Sequence, residues 1–322
     1  MSKRLSENEK EKLLEAVSIA LASGLAIEAS VHKPGNVSPL KPAKNMYYHG
    51  FILASIGISH SIKNLLIEVE RSGKSDCVDL GYILRRLYEG GEALHGMGNL
   101  HLGFVFLISP LVGALPSYIN TYFAEPRYLL GARELYSVLL DRAYEYLLTC
   151  GKGSRLIHVW SVLRKIIDPD SYLHRGSTPD IYVSDDAMKS FWDLVYYGKE
   201  TDLILRELYS NYQISRKYSR EIVFCEDKDL YTRIHDVFLE ISSNYLDTHI
   251  ARRNSVADAY LLRENMRLCA GKEGSFRDEC LDLFDKAYRE RGINPGSIAD
   301  IVAFMISLRY IVRVLEDFSL SR

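Results

Sequence analysis

Apolar residues recur at helical spacing along almost the entire chain, and no pair of alternating runs is joined by a hairpin turn of the Asn-Gly type. A chain patterned this way has no sheet to build. It predicts an all-α protein, and 322 residues with 47% hydrophobic and 25% charged content are enough for one large helical domain spanning residues 1–322. The formal charge of −2 provides no global basic field for nucleic acid, so nucleic-acid binding is not expected. No run of about 20 uninterrupted apolar residues stands out as a membrane span. The nearest, "LGFVFLISPLVGAL" (102–115) and "IADIVAFMISLRYIVRVLEDF" (298–318), read as buried helices. Cys77, Cys150, Cys225, Cys269 and Cys280 are scattered without a CxxC pair, which predicts reduced thiols and a cytoplasmic protein. A single glutamine, Gln213, beside 22 tyrosines is a bias of the kind found in thermophiles.

The first helix is predicted to start at Ser6, with Glu9 completing a capping box, and to bury Leu14, Val17, Leu21 and Leu25. Glu28 continues that stripe, so a carboxylate faces inward just before "HKPGN" breaks the helix. Helices follow at about 51–70 and 79–94. The glycines of "HGMGNLHLG" (95–103) then interrupt, and the apolar segment holding Pro110 reads as a kinked central helix. Further helices are expected near 131–150, 154–167, 187–198, 200–219, 229–252, 255–270, 275–291 and 297–318, with a long loop at about 168–187.

Four stretches place polar residues beside glycine or proline: "EASVHKPGNV" (28–37), "GNLHLG" (98–103), "YLDTHIARRN" (245–254) and "RGINPGSIAD" (291–300). Each admits a plain reading and a functional one. Glu28 is either paired structurally or faces a cavity, because a bare buried carboxylate costs several kcal/mol. Lys33 is either a solvated turn lysine or a phosphate contact beside the free N–H groups of Gly35 and Asn36. Asn99 is explained by helix capping, and His101 by packing or by catalysis. Asp247 and Arg253 fit a surface ion pair, and Asp300 fits a capping box with Ser297. The acids of 278–285, including Asp282 and Asp285, read as a solvated helix face.

Taken in chain order, the four stretches resemble the triphosphoribosyl-dephospho-coenzyme A synthase family. Glu28 before "HKPGNV" is similar to that family's acid before Pro-Lys-Pro-Gly, and "NLHLG" (99–103) to its Asn-Thr-His-Lys-Gly element. "DTHIARRN" (247–254) resembles its Asp-Thr block, and "NPGSIAD" (294–300) its Asn-Pro-Gly-Gly-Ser-Ala-Asp block. The resemblance runs from about residue 10 to residue 315. His32, Asn45 and Leu102 stand where the bacterial pattern has Pro, an acid and Lys, whereas "FILASIG" (51–57) and "LGFVFLISPL" (102–111) look like the archaeal branch.

The resemblance implies an all-helical transferase that moves the triphosphoribosyl group of ATP to a hydroxyl of 3′-dephospho-coenzyme A, or a related precursor, and releases adenine. It implies Glu28, Asp247 and His101 as catalytic residues, with Mg²⁺ held by Glu28, Asp247 and Asp300. Lys33, Gly35, Asn36, Asn99, Gly103, Arg253, Asn294 and Gly296 would contact the nucleotide and its phosphates, with Asn99 and His101 placed for adenine. The alternative is a helical protein that keeps the nucleotide pocket for binding or regulation without turnover.

Overall fold

The computed structural model describes residues 5–43, 45–71, 77–124, 130–166 and 189–320. Among them are fourteen α-helices, one short 3-10 turn and no strand beyond isolated bridges. The expected 168–187 loop lies outside the described residues.

α1 (Glu7–Ser30) begins at Ser6 with the capping box the sequence announces. It packs against α2 (Tyr48–Arg71) and, at the far end of the chain, against α14 (Gly296–Leu320), to which Ser307 Oγ ties it by donating 2.6 Å to the Leu21 carbonyl. α3 (Leu80–His95) lies on α2 and α4, and α4 (Leu102–Ala124) carries Pro110 and Pro116 within it. α5 (Ala132–Cys150), α6 (Ile157–Ile166) and α7 (Phe191–Gly198) complete the first half. One cluster of buried apolar side chains runs from Leu13 in α1 to Leu315 in α14.

Two expected helices are each broken in two. The 200–219 segment divides into α8 (Leu203–Tyr209) and α9 (Gln213–Val223), because Asn211 and Tyr212 adopt left-handed backbone. Glu207, fully buried, holds that break by accepting from the N–H groups of Ile214 (2.9 Å) and Ser215 (2.7 Å). The 229–252 segment divides into α10 (Leu230–Asn244) and α11 (Thr248–Arg253), with Asp247 as N-cap of the second. α12 (Val256–Ala270) and α13 (Ser275–Arg291) then lead back to α14.

The expectation of free thiols is corrected: Cys77 is bonded to Cys150 and Cys269 to Cys280, and Cys225 alone is free. The membrane reading is also revised. Glu7–Ser30, Tyr48–Arg71 and Leu102–Phe123 are each long and apolar enough, by length and composition, to cross a membrane. Here they pack as neighbours within the bundle.

Candidate active site

The cleft forms where α14 and α4 begin and α1 ends. Its walls are Leu25, Met46, Phe51, Leu100, Leu102 and Ala299, and its polar groups are Glu28, Asn36, Asn99, His101, His249, Asn294 and Asp300. The structure thus gathers residues from all four polar stretches into one place. The cavity available to water is only about 40 Å³, room for a few solvent molecules. Among the described residues no lysine or arginine lines it.

Glu28 is 2% exposed, and burial pushes its carboxyl upward, against the opposing pull of Lys33. Lys33 Nζ sits 3.0 Å from Glu28 Oε1 and is itself completely buried. The ammonium also donates 2.6 Å to the carbonyls of Glu28 and Val31, capping the end of α1. Two backbone carbonyls thus accept from the ammonium, and Glu28 Oε1 lies beside it as an ion pair. Lys33 is not a solvated turn lysine, being fully buried, and it does not line the cleft. It is the counter-charge that allows a carboxylate to be buried.

Asp300 faces the same cleft, and its carboxyl is raised well above the usual range by burial and by the nearby charge of Glu28. It accepts from the Phe104 N–H, so an α14 side chain sits at the first turn of α4. Gly103 permits this approach, since a Cβ there would collide with the carboxylate. The capping-box reading of Ser297 and Asp300 is corrected: Ser297 Oγ instead accepts from the His249 N–H at 3.2 Å.

Asp247 is buried but does not line the cleft. Its Oδ1 accepts from the Ile250 N–H (3.1 Å) and its Oδ2 from the Ile298 N–H (2.9 Å), which fastens the starts of α11 and α14 together. Burial pushes its carboxyl up to about 6, with these two bonds opposing. Asp247 was expected from the resemblance to serve catalysis or a metal; here each of its oxygens accepts one backbone N–H and the side chain lies outside the cleft lining. Arg253 is exposed and stands apart from the cleft lining. Its neighbour Arg252 pairs with Asp202.

His101 is fully buried, stacked 5.2 Å from Tyr88, with Nε2 3.3 Å from the Tyr88 carbonyl and Nδ1 unpartnered. Burial first, then His95, lowers it to about 3, so the ring is neutral. Asn99 Oδ1 accepts from the Leu102 N–H at 3.0 Å, as an N-cap would. His249, not singled out in the sequence reading, lines the cleft next to Gly296 and is likewise held neutral by burial, at about 3. Its signal was its place in "DTHIARRN", one residue past the Asp-Thr pair.

The turn after α1 is latched from α13. Gly35 has φ +75°, and its N–H donates 2.8 Å to Asp285 Oδ1, so that N–H is not free for phosphate as expected. Asp285 also accepts from Lys41 Nζ (2.9 Å) and Arg289 Nε (2.9 Å). Its side chain is 3% exposed, which corrects the reading of a solvated helix face. Asn36 and Asn294 enter the cleft with buried polar atoms left unpaired.

Helical architecture and a cleft of paired carboxylates, neutral histidines and carboxamides define a site for a small polar organic molecule. The family model for ATP:dephospho-CoA triphosphoribosyl transferase matches residues 14–317. The chain belongs to that family and is an enzyme of the transferase class. Among solved structures it is similar to a protein from Archaeoglobus fulgidus provisionally described as a triphosphoribosyl-dephospho-coA synthase. The two share 18% identity over 81% of this chain and 97% of the other, with a TM-score of 0.56, a likeness of fold. No curated protein matches significantly.

Proposed function

We propose that the family reaction takes place in the Glu28 cleft: a hydroxyl of 3′-dephospho-coenzyme A attacks the anomeric carbon of ATP's ribose. The new C–O bond replaces the C–N bond to adenine, the hydroxyl proton passes to a base, and adenine leaves with the bonding pair and a proton. The carbon becomes oxocarbenium-like on the way, and a carboxylate beside it stabilises that charge. The single observation that carries this reading is a pair of buried carboxyl groups, Glu28 and Asp300, facing one cleft that no lysine or arginine lines among the described residues. A module built only to hold triphosphate would show the reverse charge.

In this reading Glu28 stabilises the sugar cation or takes the hydroxyl proton, and Lys33 opposes the upward push of burial on its carboxyl. Neutral His101 and His249 add no positive charge near the reacting carbon and offer ring nitrogens for hydrogen bonds to the substrate. With no lysine or arginine on the walls among the described residues, the ribose and base belong inside and the triphosphate points outward.

The donor set also fits Mg²⁺, which is commonly held by one or two carboxylates together with substrate phosphates. Glu28 Oε1 accepts no hydrogen bond, though Lys33 Nζ lies 3.0 Å from it as an ion pair, and Asp300 bears the repulsion of Glu28. Those two residues would hold the ion. When bound, it would neutralise phosphate charge. Among the described residues no cluster of three His, Cys, Asp or Glu forms a closed metal cage.

A cytoplasmic setting supplies ATP, and disulfides persist inside the cells of hyperthermophiles, consistent with the archaeal-type sequence and its single glutamine. The test is mass spectrometry after incubation with ATP, Mg²⁺ and 3′-dephospho-coenzyme A. The expected result is free adenine and a triphosphoribosyl adduct in equal amounts. Adenine without the adduct would reassign the acceptor, and the absence of both would overturn the reading.

A further inference from the structure

Asn36 is 3% exposed, and its Oδ1 accepts from the Val37 N–H at 2.6 Å, which fixes the amide's orientation. Its Nδ2 therefore points into the site as a buried donor without a partner. In the same cleft, Asn294 Oδ1 is a buried acceptor without a partner, and its Nδ2 makes only a 3.9 Å contact with Met46 Sδ. Buried polar atoms in a folded protein are nearly always satisfied, so two orphans in one cleft mark groups awaiting a ligand. The surrounding surface is apolar and aromatic: Leu25, Met46, Phe51 and Leu100. One donor and one acceptor beside such walls match the edge of an adenine, which offers a ring-nitrogen acceptor next to an exocyclic amine donor.

The backbone of Asn36 is gripped on both sides. Arg289 donates to the carbonyls of Asn36 (2.6 Å), Pro42 (2.7 Å) and Lys41 (3.1 Å), while Asp285 holds the preceding Gly35 N–H. The same Asp285 and Arg289 are joined at 2.9 Å. An exposed turn needs no such latch. A turn that must present one amide in one orientation does.

We propose that Asn36 and Asn294 read the base of the donor nucleotide, Asn36 donating to a ring nitrogen and Asn294 accepting from the exocyclic amine, with Asp285 and Arg289 as positioning residues for Asn36. Met46 fills the base slot in the closed cleft, and its unbranched side chain swings aside on entry. The proposal rests on ATP as donor, the reading given above.

Inosine triphosphate reverses the pattern, with a carbonyl in place of the amine and an N–H on the ring. The experiment compares kcat/KM for ATP and inosine triphosphate in the wild type, N36A, N294A, D285N and R289K, with melting temperature as the check on folding. The wild type is expected to favour ATP by about 10-fold or more. N36A and N294A should each lower kcat/KM for ATP by roughly 10- to 100-fold and bring the ATP-to-inosine ratio toward one. D285N should raise KM for ATP more than it lowers kcat and reduce the same ratio, with R289K weaker in the same direction. A role confined to stability would move the melting temperature and leave the ratio intact, and that result overturns the proposal. If the wild type releases no adenine from ATP, the same series is read by nucleotide-induced thermal shift: a preference for ATP lost in N36A sustains base reading without transfer, and equal shifts by both nucleotides overturn it.

Discussion

Lys33 and Arg309 are both fully buried cations, and both close the C-terminal end of a helix. Lys33 donates to the carbonyls of Glu28 and Val31 at the end of α1. Arg309, reaching from α14, donates to those of Ile222, Val223 and Cys225 at the end of α9. The counter-charges differ. Arg309 meets Asp227, whose side chain is 69% exposed, whereas Lys33 meets Glu28, which is buried and faces the cleft. A buried cation is therefore not by itself a mark of function. The carboxylate it supports, and what that carboxylate faces, separate the two regions.

The largest expected effect lies at Glu28. Glu28→Gln should lower turnover by about 10²- to 10⁴-fold, measured as adenine release per folded molecule. Arg309→Met should leave turnover per folded molecule unchanged, and a comparable loss there would erase the distinction. Stability should move at both sites. Lys33→Met or Arg309→Met should each cost about 3–5 kcal/mol in denaturant unfolding, since each strands buried partners. Adding Glu28→Gln to Lys33→Met should restore part of that loss, because the uncompensated carboxylate is removed; strict additivity would show that the pair is uncoupled.

A smaller effect concerns pH. The folded His101 titrates near 3, below the ordinary histidine value of 6.5, so the unfolded chain binds a proton in this window that the folded chain refuses. Stability present above pH 6.5 is thus lost on acidification, by about 2 kcal/mol at pH 5. Asp247 works in the opposite sense, because its raised carboxyl takes up a proton more readily in the folded state. The His101 share is the difference between wild type and His101→Gln in melting temperature against pH, and equal slopes would refute it. The smallest effect is expected for Asp227→Asn: being exposed, it should leave the melting temperature nearly unchanged.

Much of the fold was legible because it is written locally. The Ser6 and Glu9 box, the stripe ending at Glu28 and the Asn99 cap involve residues a few positions apart, and the structure shows each. The features that escaped depend on distant partners. Asp285 looked like one more surface acid because Gly35 and Lys41 lie some 250 residues away in sequence. Asp300 suggested a cap for its own helix and instead serves α4, which no local pattern encodes. Lys33 carries a charge that sequence reasoning places in water, and only the carbonyls at the end of α1 explain its burial. Cys77 and Cys150 are 73 residues apart, so their pairing had no signature in spacing.

The most direct test of the central claim is adenine release from ATP in the presence of 3′-dephospho-coenzyme A, compared between wild type and Glu28→Gln at equal concentrations of folded protein. The account predicts release with adduct formation in the wild type and loss of at least about 100-fold in the variant. Equal turnover by the two proteins would contradict it and place the chemistry outside the Glu28 cleft.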